Sequence, residues 1–354
     1  MSPPNPLPML SSPSLTLVGQ IKAEPEDFIV EEIPAYLPSG EGEHLFLFIQ
    51  KRDISAEFLT GHLARSLGIK RDEIGMAGLK DRRAITRQWV SVPATCESAI
   101  SQIETPAIQV LDSKRHGNKL KTGHLKGNRF EILIRSEEGN AEESAEIARQ
   151  IAESVQANGV PNYFGEQRFG IDGETANLGF ALLKKETSPR DIAPQRRKFL
   201  LRLALSAAQS ALFNTVLSTR LEQGWLHQVQ AGDIMQVTAS GGAFIAEEVE
   251  REQQRFTERE TVVTGPLFGP KMKQPTGRPL ELEQQVLESA GLTLDHFREY
   301  SKLTSGARRP LLLWPGDLQV NSEPAGTRLA FTLPSGSYAT VVLREFLKSD
   351  STPL

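Results

Sequence analysis

Apolar and polar positions change period along this chain, and the changes mark out its elements. Phe28 and Val30 in GQIKAEPEDFIVEEI point one way in an extended segment, and HLFLFIQKR, His44 to Arg52, has the alternation of a strand. SAEFLTGHLARSLGI then shifts to helical spacing, with Ser55 as the N-cap, Phe58, Leu59, Leu63 and Leu67 on one face and Gly68 as the stop. Further strands are predicted over QWVSVPA, IQVLDSKR and NRFEILIRS. Frequent strands with few helices between them imply a mixed or antiparallel sheet.

The second half reads differently. Residues 141 to 157 have helical periodicity, and NGVPNYFGEQRFGIDGET then breaks it with glycines, a proline and aromatics, as a domain junction does. FLLRLALSAAQSALFNTVLSTRL, Phe199 to Leu221, is a long helix with an apolar surface broad enough for the core of a second domain. GDIMQVTASGGAFIAE and RETVVTGPLFGP add strands, and LELEQQVLESAGL a helix ended by Gly291. From RRPLLLWPGDLQV onward the pattern returns to strands and closes in a helix. Such an order suits a second domain inserted into the first.

At 354 residues the chain has room for two domains that need no staples. A single cysteine, Cys96, excludes an internal disulfide and a multi-cysteine metal site, and suits a reducing compartment. The first twenty residues, rich in proline and serine, lack the pattern of a signal peptide and are expected to form a flexible arm. A soluble, cytoplasmic protein without a membrane partner is the expectation. Neither a dinucleotide-binding GxGxxG nor a phosphate-binding Walker motif occurs, so neither cofactor chemistry is expected.

The net charge of -4 conceals an uneven distribution. Lys114, Arg115, Lys119, Lys121, Lys126 and Arg129 follow one another with only Asp112 as an acid, and a second basic stretch runs from Lys184 to Lys198. Either can be a solvated face; together, near a carboxylate motif, they are what a phosphate backbone requires. That motif is GMAGLKDRRAITRQWVSV, where Asp81 sits in a Gly-rich turn among Lys80, Arg82, Arg83 and Arg87. No His or Cys cluster accompanies it, which leaves little basis for a metal site. A lone ionised Asp held by cations can act as nucleophile or base toward a sugar C1' or C2'. The alternative is structural, with Asp81 closing the turn and pairing with an arginine.

The blocks PEDFIVEEI, AGLKDRRAITRQW, LKGNRFEILIR, VPNYFGEQRFG, RKFLLRLALSAAQSALFN and LPSGSYATVVLRE resemble the TruD family of transfer RNA pseudouridine synthases, in the family's order, from about residue 20 to 347. The resemblance implies an α/β (α+β) fold: a pseudouridine synthase core with a mixed, largely antiparallel sheet over 21–157 and 305–354, interrupted by an inserted α/β domain at 158–304. It implies Asp81 as the catalytic aspartate and uridine 13 of transfer RNA as the target. Lys22 is implied as an active-site cation, and Asn128 and Phe130 as base-pocket residues, with Phe130 stacking on the uracil. Arg168 is a candidate for a phosphate contact or a brace, while Tyr163, Phe164 and Phe169 read as packing between domains. Arg83, Arg87, Lys119, Lys121 and Lys126 are candidate RNA-backbone contacts, positioning rather than reading sequence. The expected partner is transfer RNA, bound by a monomer with no metal and no nucleotide cofactor. Two competing readings are a non-catalytic RNA-binding or RNA-folding protein and a metal-dependent nuclease or phosphatase.

Overall fold

The computed structural model describes residues 7–78, 80–136 and 141–348. The first half supplies β1 (Phe28–Pro34), β2 (His44–Arg52), α1 (Ala56–Leu67), β3 (Gly75–Met76), β4 (Ile85–Pro93), β5 (Ile108–His116), β6 (Leu125–Arg135) and α2 (Ala141–Asn158). The middle supplies β7 (Val160–Pro161), α3 (Glu174–Leu183), α4 (Pro194–Glu222), β8 (Ile234–Val237), β9 (Ala243–Ile245), α5 (Val249–Thr257), β10 (Thr261–Leu267), α6 (Gly277–Ser289) and β11 (Ala307–Pro310). The chain closes with β12 (Leu312–Leu313), β13 (Gly316–Glu323), β14 (Gly326–Pro334) and α7 (Ala339–Leu347).

An eight-stranded sheet joins the two ends of the sequence in the order β13-β14-β6-β1-β4-β2-β5, with β3 attached to β4. Its pairs are antiparallel except for β1 with β4, which run parallel at the centre through Ile29 opposite Ile85 and Glu31 opposite Arg87. One face of this sheet carries both helical covers. α2 and α7 bury Phe28, Val30, Phe130, Ile132, Leu329 and Phe331 on one half. On the other half α1 buries Leu45, Leu47, Ile49, Val90 and Val92. Between the two cores, around the β1–β4 seam, four inward positions are polar: Glu32 on β1, Thr86 and Gln88 on β4 and Lys51 on the adjacent β2 are each at most 3% exposed.

α1 begins where Ser55 accepts the Phe58 N–H at 3.1 Å and stops at Gly68, whose φ of 65° is left-handed. Leu59 and Leu63 are fully buried, but Phe58 is 54% exposed, because the packed stripe of this helix is narrower than its apolar sequence. The expected flexible arm also differs. Over the described part, Ser11 is bonded to Glu345 and Leu17, 3% exposed, donates its N–H to the Phe346 carbonyl at 2.8 Å. Spaced leucines anchor this segment on α7 and on the core beside it, which proline and serine content alone conceals.

The second unit has its own four-stranded sheet, β11-β10-β8-β9, and its own core around α4. α3 and α4 approach so closely that a Cβ on Gly179 would lie 2.0 Å from the Ala204 carbonyl oxygen. Within this core Arg220 meets Asp233 at 2.7 and 3.0 Å. β7 pairs with β12, so the outgoing and returning chains cross side by side. β11 belongs to the second sheet, which places the return after Pro310 instead of at 304, the boundary read from sequence. The strand RRP was assigned to the core there because local pattern does not say which sheet a strand joins.

Candidate active site

Asp81 sits in the loop between β3 and β4, exposed, at the open end of the parallel seam. Its main chain is held from below. Lys51, the last inward residue of β2 and fully buried, donates from Nζ to the Asp81 carbonyl at 2.8 Å and to the Ile54 carbonyl at 2.5 Å. Burial lowers the Lys51 pKa to about 8; the Asp81 charge opposes the shift and Lys80 adds to it. Lys80, next to Asp81, turns inward and meets the buried Glu32 carboxylate at 3.2 Å. Burial raises the Glu32 pKa, against the pull of Lys80. Two buried lysines thus fix the loop, one through each side of the Asp81 backbone.

Lys22 reaches the same place from the segment before β1. Its backbone is left-handed, φ 57°, and its Nζ lies 4.1 Å from the centre of the Phe28 ring. Its pKa is lowered chiefly by burial, with the Asp81 charge raising it and Arg83 lowering it further. Lys22, Asp81 and Arg83 therefore share one electrostatic neighbourhood. Arg83 is exposed. Arg87 is not part of this group: it lies on the opposite sheet face, 3.2 Å from Glu31 and bonded to Gln50, because each step along a strand reverses the side chain.

Asn128 on β6 stands between Glu32 and Leu333 in the sheet register, and its Oδ1 is buried without a hydrogen-bond partner. Thr86 Oγ1 and Gln88 Oε1 on β4 are orphaned in the same way. Each buried acceptor costs about 1 to 3 kcal/mol while it stays unpaired. Phe130, one pair further along β6, is 5% exposed, stacked on Phe331 at 5.5 Å and edge-on to Phe28 at 6.2 Å. The ring expected to stack on a base here stacks on Phe331, in an aromatic floor completed by Phe28.

The remaining candidates lie apart. Arg168 contacts α4, donating to Ser206 at 2.5 Å and Ser210 at 3.4 Å, with its guanidinium 5.8 Å from the Phe164 ring centre. Tyr163, Phe164 and Phe169 are buried in the core of the second unit. Lys119 is tied to the Asp72 carbonyl, whereas Lys121 and Lys126 are exposed. No group of three or more metal-ligating side chains occurs among the described residues. Sequence reasoning does not single out Lys51, Glu32, Thr86, Gln88 or Phe331, and reads Phe28 only as a strand position. A signal existed for two: Lys51 follows Leu45, Leu47 and Ile49 on the inward face of its strand, and Glu32 follows Phe28 and Val30. A charge in an inward position is a functional pointer.

Comparison with known proteins gives this geometry its relatives. The family model for tRNA pseudouridine synthase D (TruD) matches residues 9–189 and 195–346. A Thermus thermophilus protein named tRNA pseudouridine synthase D is 41% identical over 349 residues, covering 98% of this chain and 94% of that one. A protein of the same name from Anaeromyxobacter dehalogenans is 40% identical over 335 residues, covering 94% of each chain. A crystal structure described as a TruD protein of Methanosarcina mazei superposes with a TM-score of 0.78 at 27% identity, covering 96% of this chain and 95% of that one.

Proposed function

The chain belongs to the TruD family of tRNA pseudouridine synthases, and from that premise we propose that it converts uridine 13 of transfer RNA to pseudouridine with Asp81 as its catalytic carboxylate. The observation that carries this reading is the exposed Asp81 carboxylate, held by its backbone from Lys51 and facing the charges of Lys22 and Arg83.

The target uridine must leave its stack before a side chain reaches its ribose, at a cost of a few kcal/mol. Exposed Arg83, Lys121 and Lys126 are suited to holding the backbone while this happens. The flipped base enters the seam beside Lys22 and Asn128, over an aromatic floor whose rings, at most 5% exposed, already pack on one another. Asn128 Oδ1 accepts from an N–H on the uracil edge, which also explains its orphaned state.

Asp81 then engages the ribose, by attack on C1' or removal of the C2' proton. The C1'–N1 bond breaks, the uracil turns in the pocket, and C5 bonds to C1' as Asp81 leaves C1' on the first route or returns the proton to C2' on the second. C5 loses its proton and N1 gains one, so the product is an isomer of the substrate. Lys22 offsets the charge left on the departing base. The eight-stranded unit supplies this chemistry, and the unit inserted between β7 and β12 covers the RNA.

Incubation of the purified protein with unmodified transfer RNAs, followed by mapping of pseudouridine at nucleotide resolution, tests the proposal. Product at nucleotide 13, lost in Asp81→Asn, is expected. Product at another nucleotide would overturn the target, and absence of product would overturn the reaction.

A further inference from the structure

Two of the blocks that mark the family, Val160–Gly170 and Leu333–Glu345, have no part in the chemistry above, and they converge on Arg309. Its Nη2 donates to Asn162 Oδ1 at 2.6 Å, its Nη1 to the Gly336 carbonyl at 3.1 Å and its Nε to the Asn162 carbonyl at 3.4 Å. Its guanidinium lies 4.3 Å from the centre of the Phe164 ring, the ring that Arg168 also approaches. Asn214 fixes that segment by bonding both the N–H and the carbonyl of Phe164 at 2.8 Å.

Every acceptor of these two arginines is neutral: serine hydroxyls, main-chain carbonyls and an amide. The same fold does supply acids to its other buried arginines. Arg308, one residue earlier, holds Glu283 at 2.8 and 3.0 Å, and Arg220 holds Asp233. Among the described residues neither Arg309 nor Arg168 has a carboxylate within ion-pair distance. Both are half-buried, keep unused N–H donors, and lie close enough for Arg168 to push down the Arg309 pKa. Burial is the larger cause, bringing it to about 10, so Arg309 remains charged at neutral pH. Paired like charges on one ring, without a counter-ion, match a multidentate anion.

The location indicates which anion. Gly336 follows Leu333 by three residues, and Leu333 pairs with Asn128 in the sheet, so at most about 10 Å of chain separates the anchor of Arg309 from the base pocket. Tyr338, 43% exposed, brings a hydroxyl to the same spot. We propose that Arg168 and Arg309 together hold one phosphodiester of the substrate RNA beside the nucleotide being modified. Arg309 already joins β11 to the segment after β7 and to the loop before α7, so a phosphate held there sets where the flipped ribose stands over Asp81. This deepens the functional proposal and rests on its RNA substrate.

The test is equilibrium binding of a full-length unmodified tRNA transcript across a salt series, for the wild-type protein, Arg168→Gln and Arg309→Lys. It is joined by a scan in which single phosphates flanking the target uridine are replaced by neutral methylphosphonates. Loss of one phosphate contact should reduce the slope of log Kd against log salt by about one in Arg168→Gln, with an unchanged melting temperature. Arg309→Lys keeps the charge but not the fork, and should keep the slope while weakening binding several-fold. One methylphosphonate should weaken wild-type binding about tenfold and Arg168→Gln hardly at all. Equal methylphosphonate penalties in both proteins, or no sensitive phosphate near the target in the wild type, would overturn the site even if a variant failed to fold. Isomerisation of the same transcript by the wild type is scored separately: failure there with the binding pattern intact removes the reaction and leaves the phosphate site standing.

Discussion

Lys51 Nζ lies 2.8 Å from the main-chain oxygen of Asp81 although thirty residues separate them. The contact grips the backbone and leaves the carboxylate free, and it places an ammonium beneath the reacting group without neutralising it in an ion pair. Lys51→Met should lower kcat about 10- to 100-fold with a smaller change in KM, since loop position and local potential act in the transition state. Lys51→Arg should recover part of it.

The pH dependence has a definite sign. Lys51 in the folded state has a pKa of about 8, below its ordinary 10.5, so the unfolded chain binds more protons between those values. From this group alone, stability rises as pH climbs from about 8 toward 10.5, whereas activity falls as the ammonium is lost. A kcat profile should therefore bend down near pH 8 in the wild type, and the bend should be absent from Lys51→Arg. A bend unchanged in that variant would assign it to another group.

Asp81→Asn should reduce isomerisation by more than about 10,000-fold while RNA affinity and melting temperature stay near the wild-type values, because the side chain is exposed and carries no packing. Single-turnover kinetics, filter binding and a thermal melt read the three separately. Joint loss of binding and stability would make Asp81 structural.

The Glu32–Lys80 pair should behave asymmetrically. Lys80→Met strands a buried carboxylate and should destabilise the fold by about 3 to 5 kcal/mol in urea unfolding. The double variant Lys80→Met, Glu32→Gln should be clearly more stable than Lys80→Met alone. Because the folded Glu32 pKa is raised, stability from this group is present at low pH and is lost as pH rises through that folded value. Lowering the pH toward it should therefore also relieve Lys80→Met.

Lys22→Gly separates side chain from backbone. Glycine adopts φ 57° without the cost that lysine carries, so the melting temperature should hold. kcat should nonetheless fall at least about tenfold through loss of the cation.

Removal of residues 1–18 should cost about 3 kcal/mol. Buried Leu17 accounts for about 1.5 to 3 kcal/mol, and each of the hydrogen bonds to Glu345 and Phe346 for about 1 kcal/mol net, partly offset by the ordering entropy released. Denaturant unfolding of the truncated protein checks this. An unchanged midpoint would return the segment to the status of a loose arm.

Sequence alone determined what depends on neighbours along the chain. Ser55 and Gly68 bound α1 as read, the alternation of His44–Arg52 became β2, and the motif around Asp81 marked that side chain as the candidate carboxylate. Capping, period and motif are local, so they survive without the fold. Tertiary structure decided the rest. Only the register of β1, β2, β4, β6 and β14 brings Lys51, Glu32, Thr86 and Asn128 to one seam, sends Arg87 to the far face and stacks Phe130 on Phe331. A buried charge takes its partner from whichever strand or loop lies beside it. That adjacency, like the docking of Leu17 on α7 and the meeting of Arg168 with Arg309, is a property of the packed chain and not of any window within it.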